Sequence, residues 1–262
     1  MNSSSYQFEL YLLGAPHLER SGQPLHLPRR KALGLLANVA FCKGEIGRET
    51  LAALFWPNHD DSQARGSLRR LLSELRRFLG PDLLPTTDDR VGPLEAGKVW
   101  IDIEELQSLM ARIRLNQRLG AQQARGGLSA GVKAAQTNKE LLRRVVELYR
   151  GDFLAGFTLG ECGQFSDWQF QQGEYLRREL CTALSCLVQL CEQDAEFTEG
   201  IVYGRKLVEV DPLNEEAHCP LPPQSADPRQ DRRAVSRAKR HLCLPGLGVP
   251  LDGAVPNRHH SG

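Results

Sequence analysis

The chain has 262 residues, seven cysteines and a formal net charge of +1. That length accommodates one large or two modest domains, each able to bury its own core, and the near-neutral balance excludes a basic coat, so any nucleic-acid-binding surface is local. No apolar run approaches the roughly 20 residues of a membrane span, and MNSSSYQFEL lacks the basic start and apolar core of a secretory signal, so a cytoplasmic protein with no membrane partner is expected.

From the N-terminus, Phe8, Leu10 and Leu12 alternate with polar positions as in a half-buried strand. His17 to Arg20 reads as a second strand, and Pro24 to Leu27 follows the Ser21-Gly22 turn, giving a small antiparallel sheet. Arg29 to about Lys43 carries Leu33, Leu36, Ala37 and Ala40 on a helical stripe closed by Gly44. Arg48 to Trp56 is a second, short helix that Pro57 forbids from continuing.

The next helix organises the rest. In SQARGSLRRLLSELRRFL (62–79), Ala64, Leu68, Leu71, Leu72, Leu75 and Phe78 form one apolar face, with Arg69, Arg70, Ser73, Arg76 and Arg77 opposite and Arg65 at the edge. Asp60, Asp61 and Ser62 suit its N-terminus, and Gly80-Pro81 stops it. Such a helix either lies in a DNA major groove, where arginine pairs with guanine or holds phosphate, or is an ordinary amphipathic surface helix. Beyond it, Leu83 to Thr86 and Arg90 to Leu94 are brief strands around Thr87-Asp88-Asp89, and Val99-Trp100-Ile101 is another. Strands, three helices with the last basic, then a hairpin is the order of a winged helix-turn-helix.

These residues also carry a family resemblance. Arg30-Lys31 with Leu35-Leu36-Ala37, Arg48-Glu49-Thr50-Leu51, Leu54-Phe55-Trp56-Pro57, Ala64-Arg65, Leu68-Arg69, Leu72 to Arg77 and Val99 to Asp102 resemble, in order and spacing, the OmpR-type winged helix of the SARP family of regulators. The resemblance implies sequence-specific binding of double-stranded DNA, with Arg69, Arg70 and Ser73 as candidates for base-edge contact. Arg65, Arg76 and Arg77 are candidates for phosphate. Arg29, Arg30, Lys31 and Arg48 stand at helix starts, where they clamp backbone phosphates or remain solvated. Arg90 is the only cation of the hairpin turn, beside two aspartates that repel phosphate. Trp56 reads as core.

Asp102 to about Leu115 continues as a helix through Ile103, Leu106, Leu109, Met110 and Ile113. Residues 120–136 gain glycine and small residues and read as a flexible insertion. Thr137 to Glu140 suggests a capping box opening a helix to Tyr149. A long helix from Gly163 to about Gln193 and another from Glu196 to Val210 follow. This half (102–218) resembles the tetratricopeptide-like bacterial transcriptional activator domain in Leu148 to Leu154, in Trp168 and in Val208 to His218. The resemblance implies dimerisation, activation on direct repeats and contact with RNA polymerase. The plainer alternative is a helical bundle that packs on the first domain. From Cys219 to Gly262, Pro220, Pro222 and Pro223 and the loss of periodicity predict a disordered tail, and the break suggests a truncated gene or a shifted frame near residue 219.

No phosphate loop, dinucleotide fingerprint, nucleophile elbow or HExxH occurs, and Asp60-Asp61 and Asp88-Asp89 read as cap and turn formers. With seven cysteines, no CxxC and no zinc-site spacing, no catalysis, metal or cofactor is expected, and the thiols read as buried and reduced. The expected fold is mostly α with a small antiparallel β component: winged helix-turn-helix at 1–101, tetratricopeptide-like helices at 102–218. The expected function is a DNA-binding transcriptional regulator. The alternative is a helical interaction or scaffold protein with only nonspecific DNA binding.

Overall fold

The computed structural model describes the backbone of residues 6–123 and 128–211 and the side chains of 6–119 and 136–211. The tail at 219–262 and its frame lie outside the described residues. Strands β1 (Phe8–Tyr11), β2 (His17–Arg20) and β3 (Gln23–Leu25) are followed by α1 (Arg30–Cys42), β4 (Ile46–Gly47), α2 (Arg48–Phe55), α3 (Asp61–Leu79), β5 (Arg90–Val91) and β6 (Val99–Ile101). The helices α4 (Asp102–Gln123), α5 (Leu128–Leu148), α6 (Gly163–Gln193) and α7 (Phe197–Val210) complete a mostly helical chain with a small sheet.

The N-terminal sheet runs β3-β2-β1-β6. β1 to β3 are antiparallel, as their tight turns require, but β6 joins β1 in parallel, Phe8 opposite Val99 and Leu10 opposite Ile101. The small antiparallel sheet expected of the first strands is present, and β6 extends it into a mixed sheet. Parallel neighbours need a long crossover, and here the three helices α1 to α3 form it. Between them, β4 pairs with β5 (Ile46 with Val91, Gly47 with Arg90), and Thr86 bridges Val91. The Thr87 N–H donates to the Arg90 carbonyl at 2.9 Å, closing the hairpin turn. Three helices with this hairpin beside the third are the winged-helix arrangement. The expected strands at 83–86 and 90–94 shrink to a bridge and two residues.

α1 sits at the centre. Ala32 and the run from Gly34 to Ala40 are all buried, because the helix is covered on several sides instead of on one stripe. Its end differs from the expected glycine stop: Lys43, at φ 52°, takes the left-handed cap position. α3 buries Ala64, Leu68, Leu71, Leu72, Leu75 and Leu79. Phe78, expected inside, is 36% exposed while Leu79 is 3% exposed, since the next position around the helix points closer to the centre of the buried face.

In the second half, α4 packs along α5, α5 along α6, and α6 along α7. The expected stripe Ile103, Leu106, Leu109, Met110, Ile113 is buried throughout. Residues 120–123 and 128–136, which fall in the expected flexible insertion, are helical. Their alanine and glutamine content favours helix, and Thr137 to Glu140 falls inside α5 rather than capping it. On α7, Gly200 and Leu207 are buried, while Ile201, Gly204 and Val208 are only half-buried.

Backbone pairing holds the halves together. The Leu154 N–H donates to the Leu12 carbonyl (2.8 Å), the Gly14 N–H to the Asp152 carbonyl (3.0 Å) and the Ala155 N–H to the Gly14 carbonyl (2.9 Å). A Cβ on Gly151 would lie 3.2 Å from the Gly14 Cα, so the approach needs glycine. Phe41, Phe153, Phe165 and Trp168 stack edge-on or tilted across the junction. The Asp102 carboxylate accepts from the Leu12, Leu13 and Ile103 N–H groups at 2.8–3.0 Å and meets the Arg150 guanidinium at 3.4 Å. It is 1% exposed. The five described cysteines are free, Cys42 exposed instead of buried.

Candidate nucleic-acid interface

α3 is 19 residues long, and its start is set by Asp60, whose side chain accepts from the Gln63 N–H at 2.8 Å. With six apolar side chains held in the core, helical geometry leaves Ser62, Gly66, Arg69, Ser73 and Arg77 along the outer face, with Arg65, Arg70 and Arg76 on its flanks. Arg65, Arg69, Arg70, Ser73, Arg76 and Arg77 are all exposed. Arg76 and Arg77 in the last turn also suit the negative end of the helix dipole.

The six separate by what they touch. Arg65 donates to the Asp61 carbonyl (3.2 Å) and pairs with Glu49 of α2 at 3.0 Å. Arg76 donates to the Thr86 carbonyl at 3.2 Å, tying the end of α3 to the hairpin. Arg70 reaches only the Ser67 hydroxyl, at 3.2 Å. Arg69, Ser73 and Arg77 have no hydrogen bond or ion pair among the described residues. Glu74, on the same helix, is held by Arg29 from the start of α1 at 2.8 Å.

The remaining candidates are dispersed. Arg48 and Arg90 join Arg65 and Arg69 around a cleft of about 620 Å³ between α2, α3 and the hairpin, which Glu49, Asp88 and Asp89 also line. The Arg48 Nε is buried there without an acceptor, while its backbone N–H donates to the Asp89 carbonyl at 2.8 Å. Arg90 faces Glu45 at 3.7 Å. Lys31 is spent inside the fold: its ammonium donates to the Phe55 carbonyl (2.5 Å) and lies 4.8 Å from the Trp56 ring. Arg30 lies with its guanidinium 5.1 Å from the Phe157 ring, against the second half. Trp56 is buried, as expected.

Two features were illegible in the sequence. The Arg29–Glu74 pair spans 45 positions, and the burial of the Arg48 Nε without an acceptor among the described residues has no local sequence signal. Elsewhere, Cys191, Glu196 and Glu199 bring ligand atoms within 4.8 Å of one another. Their carboxylates are already met by Lys139 (2.7 Å to Glu196) and Arg143 (2.7 Å to Glu199). The Arg143 guanidinium holds Glu199 down to about 2. That cluster is charge-compensated by protein cations and ill suited to a metal.

No helix among the described residues is long and apolar enough to cross a membrane. No protein-family model matches the chain, and no curated protein matches it. Among solved structures, Mycobacterium tuberculosis EmbR, in complex with a low-affinity phosphopeptide, aligns over 90% of this chain and 68% of its own, at a TM-score of 0.48 and 12% identity.

Proposed function

We propose that the protein is a sequence-specific DNA-binding regulator of transcription that reads the major groove with α3. The observation that carries this reading is the outer face of α3, where Arg69, Ser73 and Arg77 stand exposed and without a partner among the described residues, on a helix anchored by six buried side chains. A helix fixed on one face and armed on the other is preorganised for groove insertion. Arg69, Arg70 and Ser73, in the middle, take base edges, and Arg77 and Arg76, towards the end, take phosphates. Arg48, which lines the cleft beside the hairpin, supplies a further phosphate contact, with Arg90 at the turn and Arg65 at the helix start. Gly66 adds room, because a side chain there would meet nothing within 4 Å, and its absence lets the groove approach the helix backbone. Asp88 and Asp89 keep the charge of the hairpin mixed, so the hairpin positions the helix more than it attracts DNA.

The resemblance of residues 30–102 to the SARP winged helix supports the same reading and suggests its setting. Residues 1–101 bind DNA, and 102–218 form the activator-type helical domain through which copies assemble side by side on direct repeats and meet RNA polymerase.

The test is selection of DNA from a random-sequence pool by the full chain at near-physiological salt, with Arg69→Ala and Arg77→Ala beside it. A repeated motif is expected. Arg69→Ala should relax one position of it at a cost of about 1–3 kcal/mol, and Arg77→Ala should weaken all sequences alike with a shallower salt dependence. Binding that is sequence-blind, or unchanged in both variants, overturns the reading in favour of an interaction or scaffold protein.

A further inference from the structure

A second concavity lies where the two halves of the chain meet. It is a groove of about 360 Å³ between β2, β3, the start of α1 and the turn at 155–157. Its floor is apolar: Leu25 and Leu33 from the first half, Phe157 from the second. Its rim carries the arginines Arg29 and Arg30 with the imidazoles of His17 and His26, and no acidic residue lines it. On a chain whose acids and bases nearly balance, a concavity with two arginines and no carboxylate is a local excess of positive charge.

The rim is also in part uncommitted. Arg30 has no carboxylate partner among the described residues, and its guanidinium rests near the Phe157 ring. His26 is exposed and makes no hydrogen bond among the described residues. Arg29 is paired, but with Glu74 of α3, from outside the groove. His17 is spoken for by Ala15 and Glu19, so it shapes the wall.

We infer that this groove binds a small amphipathic organic anion: an apolar body against Leu25, Leu33 and Phe157, and a carboxylate or phosphate head on Arg30 and His26. Pockets that combine an apolar lining with a few convergent polar groups, at a junction between domains, are the usual form of small-ligand sites. Arginine holds such oxyanions in bidentate fashion. An anion bound here also competes with Glu74 for Arg29, so occupancy is felt at the proposed reading helix. The groove itself does not depend on DNA binding, and its test contains no DNA.

The experiment is calorimetric titration of the full chain with 4-phenylbutyrate and with phenyl phosphate. Inorganic phosphate and 4-phenylbutanol serve as the head-only and body-only controls. The expected result is saturable one-to-one binding of at least one amphipathic anion, with each control weaker by about tenfold or more. Arg30→Gln and, separately, His26→Glu should each weaken it by about the same factor while leaving the thermal midpoint in place, since both side chains are exposed. The choice between the two amphipathic anions separates a carboxylate from a phosphate source. No saturable binding of either anion, equal binding of the alcohol, or undiminished binding by both variants overturns the inference.

Discussion

Replacing Asp102 tests how the two halves are joined. Among the described residues its carboxylate is the acceptor for the backbone N–H groups of Leu12, Leu13 and Ile103, all in buried surroundings. Asp102→Ala orphans three donors, each worth about 1–3 kcal/mol when left unsatisfied. Relief from burying a charge and entry of water offset part of that sum, leaving an expected loss of about 3–5 kcal/mol. Domains of ordinary stability hold only about 5–15 kcal/mol in all. Asp102→Asn keeps the shape and one acceptor oxygen, so it should cost about 2 kcal/mol. Arg150 is 44% exposed on its side chain and turns to solvent, so it adds little to either figure. Urea denaturation followed by circular dichroism, with the slopes compared, measures both. A loss below about 1 kcal/mol for the alanine variant, or equal losses for the two, would refute the reasoning. The pH dependence gives a second readout. Burial pushes the Asp102 carboxyl above the usual carboxylate range, against the lowering effect of its backbone donors and Arg150. The folded state therefore binds this proton more tightly than the unfolded chain. The group's contribution is fully present below an ordinary carboxylate pKa of about 4 and is lost as pH rises through its raised folded value. Asp102→Asn should flatten that part of the stability profile.

Three further outcomes are expected. The Lys139 side chain is 1% exposed, whereas its partners Asp194 and Glu196 are 43% and 45% exposed; the Asp194→Asn, Glu196→Gln double variant should therefore lose about 3–5 kcal/mol and Lys139→Met far less, measured by urea denaturation, and the reverse order would contradict the geometry. At Gly34 a methyl group would lie 3.1–3.3 Å from Leu159, Phe55 and Phe165, so Gly34→Ala should destabilise by about 1–3 kcal/mol, while Gly66→Ala, in open space on α3, should stabilise by about 1 kcal/mol and, on the proposed reading, weaken DNA binding. Arg143 holds Glu199 down to about 2, so this group's stabilisation is present above about pH 4 and lost as pH falls towards 2; thermal midpoints of Glu199→Gln across that range should show a smaller acid-side fall than those of the native chain.

What the sequence by itself determined were the elements whose signal is local. α3, α4 and α6 announce themselves because apolar residues every three or four positions produce a buried face whatever covers it, and Asp60 caps α3 through a contact only three residues long. The same periodicity put Arg69, Ser73 and Arg77 outside together. It failed where composition and neighbourhood disagree: residues 128–136 look like linker but are helical. Tertiary structure decided whatever depends on partners far along the chain. β6 lies parallel to β1 across some ninety positions, a pairing no turn residue signals. The division of the arginines into those tied down, such as Arg65 and Arg76, and those left free follows from where Glu49 and the Thr86 carbonyl come to rest. The cationic groove at Arg30 exists only because Phe157 folds back onto the first half. A side chain's type is written in the sequence, but whether its charge is already answered is settled only when the chain has closed around it.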